Sequence, residues 1–423
     1  MRNSFLASYR CIDNIYRKKS FSGQELNKFL SDLPSDEKPL TTKLVYGVVD
    51  KNIELTYIIK QYAKSVKPAI MPVLQIGVYC FLYLSIPNAV AVNECVELTK
   101  AIGKGGVKNF VNAVLKNISN GIAQNKIEYP KNEREYLSVK NSWPLWVVDM
   151  LLKDYGREKA EKILDYEKDS KFFHIRINLK EISADKFEEI LKEKNLEYQK
   201  TVEDGFYVCG NLDGIKGNLF TVQSLSSLYV CKAFDDVKDK NLLDLCAAPG
   251  GKSVYLSAMG AKVTSCDIHP HRVELIKKYA KRMGENLNAF VNDASQTKQD
   301  FVDKFDCVLC DVPCSGFGVA DSKPDIKLFK TKEDIQSLAN LQKQILEVSS
   351  QYVKEGGELV YSTCTIFKKE NNDVVNEFLA NNKNFVAEQI DLDFENTKEG
   401  YLQFLPYKDN TEGFFIAKIK RVC

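Results

Sequence analysis

The chain has 423 residues, of which 44% are hydrophobic and 27% are charged. This length exceeds what one hydrophobic core ordinarily supports, so we expect two or three domains. The composition is that of a soluble globular protein and excludes disordered and membrane chains. Because the formal net charge is only +2, whole-chain electrostatics does not by itself indicate a nucleic-acid partner.

Three features bear on the cellular compartment. Residues 1–20 mix apolar and basic side chains and lack the continuous apolar core of a signal peptide. The longest apolar stretch, residues 73–86, is shorter than the roughly 20 residues of a membrane span and suits a buried helix. The twelve cysteines are scattered, which favours reduced thiols over a disulfide framework. We therefore expect a cytoplasmic protein without a membrane anchor.

The first part of the chain shows apolar residues at helical spacing. Residues 44–59 and 109–116 are examples, and glycines at residues 103–106 separate two such segments. This pattern predicts an all-helical bundle over residues 1–130. The same residues carry 17 Lys and Arg against 10 Asp and Glu. Such a mildly basic segment fits a polyanionic partner, although solvated helix faces often have a similar charge.

The middle of the chain mixes the two kinds of secondary structure. Residues 144–152 have helical periodicity, residues 172–178 alternate like a strand, and residues 184–194 are again helical. We therefore predict a small α+β domain over residues 140–235.

From residue 236 onward, short apolar strands alternate with helices. Such alternation predicts parallel strands joined by helical crossovers, which is an open α/β sheet of Rossmann-like architecture over residues 236–423. The predicted strands are residues 242–246, 263–267, 289–292, 305–310 and 358–362, and the predicted helices are residues 274–283 and 333–353.

A glycine turn follows the first of these strands. Gly250 and Gly251 would allow the backbone to approach a ligand closely at the edge of the sheet. The turn is not a phosphate-binding P-loop, because Cys246 stands where that pattern requires glycine. It also differs from the dinucleotide-binding G-x-G-x-x-G pattern.

Acidic residues follow the next two strands. Asp267 could accept hydrogen bonds from ribose hydroxyls, and Asp293 could accept one from an adenine amino group. Each acid alone is an ordinary strand-end cap. The series together with the glycine turn predicts an adenosine ligand without a pyrophosphate, which describes S-adenosylmethionine.

Two cysteines, fifty residues apart, lie in short motifs after predicted strands. Cys314 belongs to the motif at residues 311–316, and Cys364 belongs to the motif at residues 361–365. Their place at the ligand edge of the sheet favours chemistry over buried packing. A zinc site built from Cys307, Cys310 and Cys314 is not favoured, because no second ligand pair matches it.

These motifs resemble the RNA 5-methylcytosine methyltransferases. Residues 220–223 and 413–417 also match that family. Residues 90–98 and 110–115 are similar to a NusB-like RNA-binding domain, which opens the RsmB/Sun branch of the family. The motifs that carry the resemblance most specifically are residues 246–252, Asp267 with Arg272, Asp293, residues 311–316 and residues 361–365.

The resemblance implies methylation at C5 of a cytosine in 16S rRNA, at position 967 for this branch. C5 is a poor nucleophile, and addition of a thiolate at C6 activates it. The motif spacing alone leaves open which cysteine attacks; the DNA enzymes would point to Cys314, whereas this RNA family implies Cys364. Cys314 would then assist proton removal and product release, and Asp311 would bind N3 and the amino group of the ring.

The resemblance also implies the cofactor site and the partners. We expect 16S rRNA as the partner of a monomer that uses neither a metal ion nor a membrane. The expected S-adenosylmethionine-binding residues are Cys246, Ala247, Ala248, Pro249, Gly250, Gly251, Lys252, Asp267, Arg272, Asp293 and Asp311.

The chain departs from the family pattern at three places. Ser224 stands where an acid is usual, Tyr407 stands where a histidine is frequent, and residues 320–323 are less basic than expected. The last departure would weaken a phosphate contact.

Two other functions are alternatives to the cytosine-C5 methyltransferase: an amino-group methyltransferase, and a non-catalytic RNA-binding protein with a degenerate cofactor fold. Intact Lys252 and Asp311, with both thiols, argue against the second alternative.

Overall fold

The computed structural model describes residues 2–166, 171–409 and 411–423. The chain divides into two compact units. The first comprises Met1–Tyr166 and Ala320–Lys330, and the second comprises Glu167–Val319 and Thr331–Cys423. The domain boundaries near residues 130 and 235 stay a prediction.

Helices dominate the first unit, and strands with intervening helices form the second. The helices are α1 (Asn3–Lys18), α2 (Ser22–Leu30), α3 (Lys38–Asp50), α4 (Asn52–Tyr62), α5 (Met71–Tyr83), α6 (Asn88–Ala101), α7 (Lys108–Ala123), α8 (Glu133–Lys140), α9 (Leu145–Asp165), α10 (Ala184–Glu193), α11 (Leu225–Lys232), α12 (Gly251–Ala258), α13 (Pro270–Arg282), α14 (Asp325–Phe329), α15 (Lys332–Ser350), α16 (Asn372–Asn381) and α17 (Pro406–Asp409). The strands are β1 (Phe172–Ile177), β2 (Glu197–Val202), β3 (Gly205–Cys209), β4 (Phe220–Val222), β5 (Asn241–Asp244), β6 (Lys262–Asp267), β7 (Asn288–Val291), β8 (Phe305–Asp311), β9 (Val353–Thr363), β10 (Phe385–Ala387), β11 (Tyr401–Phe404) and β12 (Phe414–Arg421).

The core of the first unit is built around helix α5. Proline at position 72 lies in the first turn, where its missing N–H costs no helical hydrogen bond. Residues 72–80 are all buried, because this helix is apolar on every side. Across the described ranges of the chain, none of the helices has the length and apolarity that crossing a membrane would require.

The first unit also contains a segment that the sequence places in the third predicted domain. Lys327 is 6% exposed, and its Nζ lies 2.6 Å from Asp50 Oδ1 and 4.3 Å from the centre of the Trp143 ring. Asp325, also buried, accepts hydrogen bonds from the backbone and the hydroxyl of Ser22. Buried charges need such partners, which explains why this segment packs with the helices.

The second unit contains a four-stranded antiparallel sheet with strand order β2-β3-β1-β4. Strand β1 and helix α10 agree with the prediction to within one residue. The sequence analysis did not identify β2, β3 and β4. Strand β2 is mostly polar and largely exposed, so its residues show no apolar alternation.

The large sheet of the second unit has strand order β10-β12-β9-β8-β5-β6-β7, and β11 pairs with β12. Strands β5 to β9 are parallel, and the carboxyl-terminal strands are antiparallel. The chain proceeds from β5 outward to β6 and β7 and then returns to β8 on the other side. Ligands bind at this kind of switch point, at the carboxyl ends of the strands.

Both faces of the large sheet are covered. On β8, Val308 and Cys310 belong to the apolar cluster on one face, and Cys307 and Leu309 belong to the cluster on the other. This two-sided burial explains why the strand is a continuous apolar run. Strand β9 begins at Val353, five residues earlier than predicted.

Candidate active site

The two cysteines of the sequence motifs lie in loops that follow adjacent parallel strands. Strand β8 ends at Asp311, which is in register with Ser362 of β9. Cys314 follows three residues after β8, and Cys364 follows β9 directly. Their sulfur atoms lie 3.0 Å apart, and the backbone N–H of Cys364 donates to Cys314 Sγ at 3.2 Å.

The contact between the sulfurs affects the acidity of one of them. The hydrogen bond with Cys364, together with burial, raises the pKa of Cys314 well above its usual range. This environment favours the neutral thiol on Cys314. A thiolate formed there later would be strongly basic.

Asp311 is held by two partners at the end of β8. Lys252 Nζ lies 2.7 Å from Asp311 Oδ2, and Ser362 Oγ donates to Asp311 Oδ1 at 2.7 Å. Burial opposes the charge of Lys252, but the Asp311 carboxylate more than offsets this effect and raises the pKa of the lysine. The pair therefore brings a fixed positive and a fixed negative group to the edge of the sheet.

The glycine turn over residues 246–252 connects β5 to helix α12. Gly250 has φ of 111°, in the left-handed region that favours glycine. A Cβ atom at this position would lie 3.2 Å from the Ile276 backbone. Helix α12 begins at Gly251, so the unpaired N–H groups of its first turn lie at the ligand edge.

The predicted acids lie at the ends of the neighbouring strands. Asp267 ends β6 and is 4% exposed; its Oδ2 lies 3.9 Å from Arg272 Nη1. Asp293 follows β7 and accepts hydrogen bonds from the N–H and hydroxyl of Ser295. The structure therefore brings the glycine turn, Asp267 and Asp311 to one edge of one sheet.

Two buried polar atoms at this edge lack a hydrogen-bond partner among the residues that the structure describes. They are Asp244 Oδ1 at the end of β5 and Asn292 Nδ2 directly before Asp293. Orphaned buried polar groups are costly, and a polar ligand would satisfy them. With the N–H groups of the first turn of helix α12 at the same edge, the residues present fit an adenosine cofactor.

Sequence reasoning missed the residues that hold the two cysteine loops. Gly318 N donates to the carbonyl of Cys364 at 3.0 Å, and Gly413 N donates to the carbonyl of Gly318 at 2.8 Å. Glu370 forms hydrogen bonds with Ser315, next to Cys314. Asn371 forms hydrogen bonds with Thr363 and Thr365, on either side of Cys364. Of these residues, only Gly413 belongs to a motif shared with the family, at residues 413–417. Its hydrogen-bond partner Gly318 is distant in the sequence.

Of the three departures from the family pattern, none lies at the sulfur pair. Ser224 immediately precedes helix α11, and its hydroxyl lies 3.2 Å from that of Ser226. Tyr407 lies in helix α17, and residues 320–323 belong to the first unit.

Three stretches of the chain match known protein families. Residues 5–120 match the NusB family, and residues 143–211 match the ferredoxin-like domain of RsmF/B-like methyltransferases. Residues 232–420 match the family described as 16S rRNA methyltransferase RsmB/F. These matches confirm the predicted fold class: a helical NusB-like domain, a small α+β domain and a Rossmann-like methyltransferase sheet.

Individual proteins resemble the chain over nearly its full length. The probable ribosomal RNA small subunit methyltransferase B of Bacillus subtilis (strain 168) is 35% identical over 419 residues, which cover 92% of each chain. The ribosomal RNA small subunit methyltransferase B of Klebsiella pneumoniae (strain 342) is 30% identical over 416 residues, 94% of each chain. The crystal structure of PH0851 shares the fold, with a TM-score of 0.81 at 23% identity, covering 98% of this chain and 99% of that one. The chain therefore belongs to the RsmB/F family of 16S rRNA methyltransferases and carries the family's NusB-like amino-terminal domain.

Proposed function

We propose that the protein transfers a methyl group from S-adenosylmethionine to C5 of a cytosine in 16S rRNA, through a covalent bond between Cys364 and C6 of the base. The observation that carries this proposal is the 3.0 Å separation of the Cys364 and Cys314 sulfurs at the carboxyl edge of the sheet, beside Asp311. Methylation of a ring nitrogen or an amino group would need no pair of thiols.

The cofactor supplies an electrophilic methyl group carried on a sulfonium. The Asp244 and Asn292 atoms that have no hydrogen-bond partner among the described residues support its binding at this edge. Asp267 is placed to accept hydrogen bonds from ribose hydroxyls. The residues proposed to hold the cofactor are Cys246, Ala247, Ala248, Pro249, Gly250, Gly251, Lys252, Asp267, Arg272, Asp293 and Asp311.

Cys364 is the proposed nucleophile. After its thiol proton has passed to water, its sulfur bonds to C6 of the cytosine, and the electrons of the C5–C6 double bond make C5 nucleophilic. C5 would then take the methyl group, and the electrons of the broken methyl–sulfur bond would stay on the cofactor sulfur. Asp311, oriented by Lys252 and Ser362, would hydrogen-bond N3 and the amino group. The raised pKa of Cys314 supports this assignment, because Cys314 favours the neutral thiol before attack.

Cys314 is the proposed group for product release. After methylation, the proton on C5 must leave. Its bonding electrons then re-form the C5–C6 double bond of the cytosine, and the C6–S bond breaks. Cys314, once its own proton has passed to water, would accept the C5 proton as a thiolate, and its raised pKa makes that thiolate a strong base. The expelled Cys364 sulfur keeps the electrons of the C6–S bond.

The proposed substrate is small-subunit rRNA, on which the family acts. Residues 1–130 are mildly basic, which supports contact with a polyanion. The target base must leave its stack to reach the sheet edge. The position 967 cytosine is the expected target.

The first test is to incubate the protein with labelled S-adenosylmethionine and unmodified 16S rRNA and then to map the methylated base. We expect one 5-methylcytosine. Label on a nitrogen would replace the proposal with an amino-group methyltransferase, and no label at all would support a non-catalytic RNA-binding protein.

The second test compares cysteine variants. We expect Cys364→Ala to abolish turnover and Cys314→Ala to accumulate a covalent protein–RNA adduct, visible as a band that survives denaturing electrophoresis. Cys423→Ala is the matched control, since this exposed thiol lies in no motif; it should turn over normally. An adduct in Cys364→Ala and none in Cys314→Ala would reverse the two roles.

A further inference from the structure

Glu370 is a carboxylate buried in the structure without an assigned role. It is 0% exposed, and it accepts hydrogen bonds from the backbone N–H of Ser315 at 2.8 Å and the Ser315 hydroxyl at 2.5 Å. Gln342 Nε2 donates to it at 3.0 Å. Burial raises the pKa of Glu370. Such burial is costly and is tolerated here because several donors converge on the group.

The partners of Glu370 connect it to both neighbours of Cys314, one directly and one through Gln342. Ser315, which follows Cys314 in the chain, bonds to Glu370 directly. Gln342 bonds to Glu370 and also donates to the carbonyl of Pro313, the residue before Cys314, at 3.0 Å. Glu370 also has a side-chain hydrogen bond with Thr365, but its backbone contact with Ser315 and its link through Gln342 are to the Cys314 loop.

The next residue, Asn371, makes equivalent contacts with the Cys364 loop. The Thr363 hydroxyl donates to Asn371 Oδ1 at 2.6 Å, and Asn371 Nδ2 donates to the carbonyl of Thr365 at 3.1 Å. These two threonines flank Cys364. The hydroxyls of Ser315 and Thr365 bond to each other at 2.9 Å, which joins the two loops directly.

We propose that Glu370 and Asn371 are positioning residues of the methyl transfer: Glu370 holds the sulfur that releases the product, and Asn371 holds the sulfur that attacks. The inference rests on the proposed function. Its chemical basis is that the two thiols must reach adjacent carbons of one cytosine ring. A displacement of about 1 Å in such a site can cost about 100-fold in rate.

The division of labour predicts opposite effects of two neighbouring substitutions. Glu370→Ala frees the Cys314 loop, so product release slows and the covalent RNA adduct accumulates, as in Cys314→Ala. Asn371→Ala frees the Cys364 loop, so adduct formation itself slows. We expect each variant to lose at least about tenfold in kcat, with little change in the KM for RNA.

A conservative variant tests the mechanism further. In Glu370→Gln the amide oxygen can accept from the Ser315 backbone and from Gln342, and the amide nitrogen can donate to the Ser315 hydroxyl, which has free lone pairs. We expect this variant to release product within about threefold of the wild-type rate, because the proposed role of residue 370 depends on its hydrogen bonds to the Cys314 loop and not on its negative charge.

The experiment measures the adduct and the methylated product over time in a single turnover, using 16S rRNA and labelled S-adenosylmethionine. Exposed residues nearby supply matched controls: Glu377→Ala and Asn381→Ala should behave as wild type. Melting temperatures show whether each variant is folded. If a variant unfolds, Ser315→Ala and Thr363→Ala each remove one side-chain hydrogen bond of Glu370 and Asn371 respectively, and should shift the adduct kinetics in the same directions by a smaller factor.

The outcomes separate the two proposals. If Cys314→Ala itself traps no adduct, the proposed function fails. If Cys314→Ala traps the adduct but Glu370→Ala and Asn371→Ala show the same adduct kinetics as each other, the positioning inference is overturned while the proposed function stands.

Discussion

Asp244 is a buried carboxyl at the edge of the large sheet where the cofactor is proposed to bind. Its carboxyl lies at the end of β5 and is 1% exposed; Ser253 Oγ donates to Oδ2 at 2.6 Å, and within the described part of the chain Oδ1 has no hydrogen-bond partner. Burial raises the pKa of Asp244 to about 7 from an ordinary 3.8. The fold therefore holds a poorly solvated acid where the cofactor is proposed to bind, which is frequent at functional sites.

This shift predicts a pH-dependent stability. Between pH values near 3.8 and 7, the folded protein keeps a proton on Asp244 that the unfolded chain releases, so stability falls as pH rises through this range. Above pH 7, where Asp244 is ionised in the folded protein too, the loss of stability caused by its burial is complete. Asp244→Asn cannot ionise, and it should raise the melting temperature by about 2–4 °C at pH 8 with little effect at pH 4. An equal change in melting temperature at pH 4 and pH 8 would contradict the raised pKa of Asp244.

At the scale of elements, the loops after β8 and β9 form one structure. Gly318 bonds to the Cys364 carbonyl and to Gly413, so the Cys314 loop is held by both β9 and the loop before β12. A Cβ at Gly318 would lie 1.8 Å from the carbonyl oxygen of Gly413. No side chain fits at that distance, so the loop requires glycine.

Gly318→Ala should therefore displace the Cys314 loop. We expect turnover to fall by about 100-fold or more, with a lower melting temperature. Gly217→Ala is the matched control, because a Cβ there meets no atom within 4 Å. Normal turnover of a folded Gly318→Ala protein would mean that the loop position is not critical.

The sequence allowed prediction of elements and residues whose signal is local. Cys314 and Cys364 follow recognisable motifs, and β5 to β9 are apolar runs. Glu370 could not be predicted, because its meaning depends on Ser315, which lies 55 residues away. Strand β2 was missed because tertiary pairing, and not its own polar sequence, makes it a strand.

At the scale of the whole chain, a long-range connection joins the amino-terminal helices to a segment from the catalytic half of the sequence. Lys327 pairs with Asp50, 277 residues away. This pairing could not be predicted from the sequence, because neither residue belongs to a motif.

This ion pair should contribute to the stability of the first unit. Lys327→Met removes the nearer cation of Asp50, whose Oδ2 still lies 3.8 Å from Lys51 Nζ, and should lower the free energy of unfolding by about 1–3 kcal/mol. The double variant Lys327→Met/Asp50→Asn should lose less than the sum of the two single variants. Strict additivity, measured by denaturant unfolding, would show that the two side chains do not interact.

The identity of the attacking cysteine is tested most directly by mass spectrometry of the trapped complex. The Cys314→Ala protein is incubated with 16S rRNA and S-adenosylmethionine, digested with protease and nuclease, and the modified peptide is sequenced. We predict a methylated cytidine attached to Cys364. A nucleotide on any other residue, or methylated rRNA produced at the wild-type rate without an adduct, would contradict this mechanism.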